Sequence, residues 1–157
     1  MIARGKVVAI LALLFLASSL TLANASRPRT PFYLRAIPTN MYPEWMHQAD
    51  NQLVVAKIIE GGNVEFIPGQ PVGTWTMDIV EIIRATGQAT VSGHLVINFD
   101  SGSTIEGTVT ARMPNFASQP PDVDGKFVGH GDMHAECDLY VIMEGNTPII
   151  VLEGYSW

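Results

Sequence analysis

The stretch Gln88–Met113 reads QATVSGHLVINFDSGSTIEGTVTARM and decides the fold class. Apolar and polar side chains alternate at a period of two through both of its halves. Such alternation is typical of antiparallel strands that bury one face and expose the other to water. The apolar face carries Val91, Leu95, Ile97 and Phe99 in the first half, and Ile105, Val109, Ala111 and Met113 in the second.

The turn between the two halves fixes how the strands pair. Paired residues must share a face, and a three-residue loop over 100–102 satisfies this by setting Phe99 opposite Ser103. Ile97 then faces Ile105, with a glycine in the left-handed conformation that this loop requires. A two-residue loop would set apolar against polar side chains and turn one strand inside out. We therefore predict a β-hairpin with this register.

Similar alternation precedes the hairpin. Val72–Arg84 alternates as far as Glu81, which lies between two apolar neighbours and predicts a bulge or a twist there. Residues 53–59 and 64–67 flank Gly61-Gly62 and predict another hairpin. The region before the central hairpin therefore contributes further strands to the same sheet.

The chain after the hairpin follows the same rule. The alternating run 127–143 would span roughly 60 Å as one straight strand, so it must bend near Gly129–Gly131 or break into two strands. Ile149–Leu152 is apolar on both faces. The total is seven or eight strands in sequence. We predict an all-β antiparallel meander that closes into a seven- to eight-stranded barrel, because closure removes free sheet edges. A two-sheet β-sandwich is the alternative.

Residues 1–25 predict a signal peptide. Arg4 and Lys6 precede an apolar run over 7–22, and Ala23-Asn24-Ala25 has the small-x-small form of a cleavage site. This run is shorter than the roughly 20 residues of a spanning helix. We expect a signal-peptide helix, a cut after Ala25, a secreted or extracytoplasmic domain, and no stable membrane span after cleavage.

The mature chain divides into two predicted parts. Residues 26–50 are rich in proline and aromatic residues, and the prolines exclude a long helix. We expect this N-terminal extension to drape over the domain or plug one end, with a short strand near Tyr33–Ile37 and a loop or helical turn near Glu44–Gln48. Residues 51–157 form the predicted β-barrel domain.

Charge and cysteine content narrow the classes of partner. The formal net charge is −6, and loss of Arg4 and Lys6 leaves seven basic against fifteen acidic residues, which gives −8. The acidic charge and the lack of a Lys/Arg cluster exclude nucleic acids and anionic membrane surfaces as binding partners. Cys137 is the only cysteine. Cys137 is either buried as a small hydrophobic side chain or joined by a disulfide bond to a second chain.

Three segments carry a family resemblance. Gly73-Thr74-Trp75, the hairpin through 100–103 and Gly125–Gly129 are similar to parts of the small eight-stranded barrels of the allene oxide cyclase and dirigent-like class. The resemblance covers Val72–Trp157 and concerns architecture. It implies a secreted or lumenal barrel, often oligomeric, whose cavity holds a hydrophobic small molecule. No catalytic residue of either family aligns, so no enzymatic role carries over.

The inward face predicts where a ligand would bind. Its large apolar side chains are interspersed with glycine and alanine, which either leave a cavity or let the sheet coil tightly. The candidate ligand-binding residues are Trp75, Met77, Leu95, Ile97, Ile105, Val109 and Met133.

One strand carries candidate metal ligands. His130, Asp132 and His134 share a face, but the two histidines lie about 13 Å apart along an extended strand. Only adjacent pairs, helped by a neighbouring strand, are close enough to hold one tetrahedral ion. A solvated polar face is the alternative interpretation.

These patterns leave three functional hypotheses. The first is a secreted barrel that binds a hydrophobic small ligand or a partner protein. The second is a cyclase- or isomerase-like enzyme, which needs an inward ionisable group such as Glu81, Glu153 or the His130–Glu136 face. The third is an exported metal-binding protein that uses the strand His130–Glu136. We expect no cofactor, because no P-loop or dinucleotide motif is present. A homo-oligomer through Ile149–Trp157 would cover the apolar C-terminal end.

Overall fold

Eight strands make up most of the chain in a computed structural model, which describes residues 28–50, 53–115, 117–118 and 122–157. The strands are β1 Thr30–Asp50, β2 Leu53–Ile67, β3 Gln70–Arg84, β4 Ala89–Phe99, β5 Thr104–Met113, β6 Asp124–Gly131, β7 Ala135–Glu144 and β8 Thr147–Ser156. The predicted signal peptide lies outside the described residues. Within them, no helix has the length and apolar character needed to cross a membrane.

The strands pair in chain order, and β1 closes the barrel against β8. Each neighbouring pair is antiparallel. The predicted antiparallel meander that closes into a barrel is therefore confirmed, with eight strands, and the alternative of a two-sheet sandwich is wrong.

The hairpin of β4 and β5 has the predicted register. Phe99 N donates a hydrogen bond to Ser103 O at 2.9 Å. Ile97 pairs with Ile105, and Gly102 has a φ of 90°, in the left-handed region. The turn chemistry and the alternation together determine this register.

The N-terminal extension is a strand of the barrel rather than a cover over it. β1 pairs with β8 over Thr30–Ala36 and with β2 over Arg35–Asp50. Register shifts next to Pro38 and Pro43 accommodate residues that have no N–H to donate. The predicted loop or helical turn near Glu44 is wrong, because β2 supplies that segment with an extended partner.

The predicted turn at Gly61-Gly62 in β2 is wrong, and the bulge that was one of two predictions for Glu81 in β3 is absent. β2 continues through Gly61-Gly62, where a Cβ atom at position 62 would lie 1.9 Å from Ile37 O. Glycine there permits a close approach of β1, and it does not mark a turn. β3 keeps one register with both neighbours over Gly73–Ile83. Glu81 therefore faces inward without a bulge.

The long run 127–143 breaks into β6 and β7, the second of its two predicted outcomes. Gly131 has a φ of 135° at the break. Asp132 N donates a hydrogen bond to Thr104 O, and the Asp132 carboxylate accepts one from Thr104 N at 2.9 Å. These contacts hold the β6–β7 turn against the start of β5.

The interior is packed at one end of the barrel. This end is formed by the described chain termini and by the β2–β3, β4–β5 and β6–β7 turns. Its fully buried side chains are Leu34, Val64, Trp75, Ile97, Ile105, Phe127 and Leu152. The other end is formed by the β1–β2, β3–β4, β5–β6 and β7–β8 connections, and it contains the cavity.

A buried ion cluster lies on the outer side of β1. Leu34 and Ala36 belong to the interior core, so Arg35 points the other way, yet it is only 2% exposed. Arg35 Nη1 lies 2.8 Å from Glu65 Oε1, and Nη2 contacts Glu144 Oε1. None of the three guanidinium nitrogens of Arg35 makes a hydrogen bond of good geometry with the described residues. Charge attraction therefore links β1 to β2 and to the end of β7.

Candidate functional site: the barrel cavity

A cavity of about 280 Å³ occupies the half of the barrel opposite the packed end. Apolar side chains from β1, β2, β3, β4, β5, β7, β8 and the β5–β6 loop form most of its wall. Among the described residues, Glu60 and Glu81 are the only polar side chains in that wall. The site is therefore an apolar space with two carboxyl groups.

Strand register brings both carboxyl groups into the cavity. Glu60 on β2 pairs with Met77, and Glu81 on β3 pairs with Ala56, so both occupy inward positions. Glu60 is 8% exposed and Glu81 is 5% exposed. Their backbones lie on adjacent strands, offset by four residues along the strand direction.

Burial raises the pKa of both carboxyl groups. Desolvation, followed by the negative charge of Glu81, raises the pKa of Glu60 from its ordinary 4.5 to about 7. Desolvation also raises the pKa of Glu81. No side-chain hydrogen bond or ion pair from the described residues offsets this effect at either group. Near neutral pH, Glu60 therefore exists in both protonated and ionised forms.

The pairing of β1 with β8 ends beside the cavity. The β1–β8 ladder ends at Ala36 and Ile150. Two residues further in the same register Pro38 would face Pro148, and neither proline has an N–H to donate. Met41 lines the cavity and is 58% exposed. Pro38 and Pro148 both line the cavity, so the β1–β8 ladder ends at its wall.

The seven predicted ligand-binding residues divide between the cavity and the rest of the core. Met77 and Val109 line the cavity. The other five lie in or against the hydrophobic core outside the cavity wall: Trp75, Leu95, Ile97, Ile105 and Met133. Contact of these residues with a ligand stays a prediction.

The predicted ionisable candidates have different positions. Glu81 faces the cavity, as its odd-numbered phase on β3 indicates. Glu153 is exposed and accepts a hydrogen bond from Tyr140 Oη at 2.7 Å, a contact that raises the pKa of Tyr140 to about 12. Glu60 is not among the sequence candidates, because the interpretation of Gly61-Gly62 as a turn hid its place in β2. The sequence did contain an indication of its position. Glu60 and Ala56 are an even number of residues apart, so in one continuous strand their side chains lie on the same face.

The predicted metal ligands have separate neighbours. His130 Nε2 lies 4.0 Å from Glu106 Oε1, and the Asp132 carboxylate accepts a backbone hydrogen bond from the start of β5. The ring of His134 stacks on Trp157 with centroids 5.9 Å apart. Across the described ranges, no three or more His, Cys, Asp or Glu side chains are grouped to hold a metal ion.

Cys137 and the C-terminal segment pack within the chain. Cys137 is 2% exposed, and desolvation, followed by the charges of Asp138 and Glu136, raises the pKa of its thiol to about 12. All four residues of Ile149–Leu152 are buried. Trp157 exchanges backbone hydrogen bonds with His134. Assembly through the C-terminal segment stays a prediction.

The fold defines an eight-stranded antiparallel barrel with a cavity at one end. Comparison of the chain with protein-family models, with curated proteins and with solved structures finds no match. The resemblance to the allene oxide cyclase and dirigent-like class therefore stays a prediction from the sequence.

Proposed function

We propose that this protein binds a small apolar molecule in the barrel cavity. The observation that carries this proposal is the cavity of about 280 Å³ with its almost entirely apolar wall. Ligand pockets usually measure about 300–1,000 Å³, so this one fits a ligand at the small end of the range. At about 30 Å³ per water-sized group, it holds on the order of ten non-hydrogen atoms. The signal-peptide pattern of residues 1–25 supports a site of action outside the cytoplasm.

Apolar burial supplies the affinity for such a ligand. Ten buried methylene-sized groups contribute about 8 kcal/mol at ~0.8 kcal/mol each. Loss of translational and rotational freedom opposes association by about 4 kcal/mol or more. The remainder of about 4 kcal/mol corresponds to a Kd near the millimolar range. Polar recognition at the carboxyl groups would tighten it further.

Methyltetralin, a neutral molecule of about this size, tests the proposal directly. We expect it to shift backbone amide resonances of residues that line the cavity, in an NMR titration up to millimolar ligand. Val91→Phe places a larger side chain in the cavity and should abolish these shifts. Val128→Phe makes the same change on the exposed outer wall of β6 and serves as the matched control.

Two outcomes would contradict ligand binding. One is the absence of methyltetralin binding at the cavity, and the other is binding to Val91→Phe as tight as binding to Val128→Phe. Thermal unfolding of both variants shows whether each one remains folded, so that loss of binding in Val91→Phe is assigned to the filled cavity.

Proton transfer in the cavity is a second candidate function. A carboxyl group with a pKa near neutrality is suited to general acid–base work, and Glu60 has such a pKa because of its apolar surroundings. This supports the cyclase- or isomerase-like alternative. Nitrobenzisoxazole is a suitable probe: a base takes its ring proton, the N–O bond breaks, and a coloured cyanophenolate forms.

The expected result is faster ring opening with the native protein than with Glu60→Gln, and a rate that rises with pH through about 7. Glu136→Gln, an exposed change on β7, is the control. Equal rates for the native protein and Glu60→Gln would exclude Glu60 as a base for this substrate.

A further inference from the structure

The charge balance of the cavity wall is uneven. Glu60 and Glu81 are both more than nine-tenths buried and face the cavity. The lining residues from β1, β4, β5, β7, β8 and the β5–β6 loop are all apolar and cannot titrate. Within the described lining, no Lys, Arg or His balances the two carboxyl groups.

The lysine of β2 forms ion pairs on the outside of the barrel. Lys57 lies on the outer face of the strand, where its Nζ is 2.7 Å from Glu44 Oε2 and 3.4 Å from Asp78 Oδ2. Its position in the alternation is opposite to that of Glu60. Since no described residue of the wall supplies a cation to the cavity carboxyl groups, a bound ligand is a suitable source of one.

We propose that the ligand of this cavity is an apolar molecule that carries a protonated amine, and that its ammonium group pairs with Glu60 within the field of the Glu81 carboxyl group. This inference rests on the proposed function and specifies its ligand class. The apolar body fills the space between β4, β5, β7 and β8, while the ammonium group lies toward β2 and β3.

Other ligand chemistries fit the wall less well. A carboxylate or phosphate would be repelled by the two acidic groups. A calcium ion takes six to eight oxygen ligands, and this wall offers two carboxyl groups among apolar side chains. An ammonium group has three donors on a compact charge. Glu60 and Glu81 line the same cavity, and the Glu81 charge raises the pKa of Glu60.

Amine binding is coupled to proton release. In the free cavity Glu60 retains its proton up to a pKa of about 7, whereas pairing with an ammonium group favours the ionised form. Below that pH, each bound amine displaces a proton from Glu60. The affinity for the amine therefore rises as pH increases through about 7, by up to about tenfold per pH unit below the pKa.

Three probes with one ring system separate charge from apolar burial. Aminotetralin with its amine on the saturated ring is a cation, methyltetralin substituted on the same ring is its neutral counterpart, and tetralin carboxylate is an anion. We expect isothermal titration calorimetry near pH 8 to show aminotetralin binding at least about tenfold tighter than methyltetralin, with tetralin carboxylate the weakest. Near pH 6, buffers of different ionisation enthalpy should reveal proton release with aminotetralin alone.

Variants that replace each cavity carboxyl group by an amide test where the ammonium group of the ligand binds. Glu60→Gln and Glu81→Gln should each reduce the preference for aminotetralin over methyltetralin, while methyltetralin still binds. Glu136→Gln, an exposed change on the outer face, should leave the preference intact.

The outcomes separate this inference from the proposed function. Binding of methyltetralin with no preference for the amine overturns the amine inference and leaves the apolar-ligand function standing. Failure of every probe to bind overturns both. An amine preference that survives in both Glu60→Gln and Glu81→Gln places the ammonium group elsewhere and also overturns the inference.

Discussion

Replacement of Glu60 by glutamine tests whether this carboxyl group makes the stability of the barrel depend on pH. The pKa of Glu60 is about 7 in the folded protein, against an ordinary 4.5, so the folded state holds this proton more tightly than the unfolded chain does. The stabilisation is complete below about pH 4.5 and is lost as pH rises through about 7. At ~1.36 kcal/mol per pKa unit, the loss is about 3 kcal/mol.

Urea denaturation between about pH 4 and pH 8 measures this effect. The difference in free energy of unfolding, Glu60→Gln minus native, should increase by about 3 kcal/mol across that range, because glutamine stays neutral throughout. Taking the difference removes the titration of carboxyl groups common to both proteins, apart from their coupling to Glu60. Glu136→Gln, which changes an exposed carboxyl outside the cavity, is the matched control.

The direction of the change is the critical result. A difference that stays flat would mean that Glu60 titrates alike in the folded and unfolded states, which would refute burial of this carboxyl in an apolar cavity. A difference that shrinks as pH rises would mean that a cation stabilises ionised Glu60, and would refute the uneven charge balance of the cavity wall.

Three further predictions concern other parts of the barrel. Arg35→Met leaves buried Glu65 without its cation and should lower the free energy of unfolding by about 3–5 kcal/mol, as measured in urea. Gly62→Ala should lower it by about 1–3 kcal/mol or more, since the new Cβ would lie 1.9 Å from a carbonyl oxygen of β1. Cys137, whose burial raises its thiol pKa to about 12, should resist a thiol reagent in the folded protein and react once urea unfolds the chain.

Each of these predictions has its own control. The double variant Arg35→Met with Glu65→Leu should recover most of the lost stability, because it removes the stranded charge as well. Gly61→Ala should be milder than Gly62→Ala, since its Cβ would keep 3.1 Å from its nearest neighbours. Rapid labelling of Cys137 under native conditions would show that β7 opens readily, contrary to its burial.

The prediction of the fold from the sequence succeeds where alternation and turn chemistry agree. The β4–β5 hairpin has both, and its register follows from them. β1 shows why only a short strand near Tyr33–Ile37 is predicted, although the strand covers Thr30–Asp50. Proline lowers the expectation of a strand because it cannot donate to a ladder, but Pro38 lies where pairing with β8 has stopped and Pro43 lies beside a register shift.

The candidate site is harder to predict than the fold. Alternation shows which face of a strand a side chain lies on, but it does not show the height of that side chain along the barrel axis. Met77 and Trp75 share the inward face of β3, yet one lines the cavity and the other fills the packed end. Their different surroundings depend on which side chains of the other seven strands lie at the same height in the barrel. Glu81 shows what alternation does provide, since its inward phase is correct although the sequence also predicts a bulge.

The two buried carboxyl groups also bear on what the barrel is built to do. Glu60 opposes folding by about 3 kcal/mol above neutral pH, a large fraction of the ~5–15 kcal/mol by which domains are stable. An apolar side chain of similar size would avoid this loss. Local features that reduce stability and have no structural partner are concentrated at functional sites. A ligand cation would supply the missing partner, so binding would return to the folded state the stability that Glu60 and Glu81 withhold from the empty barrel.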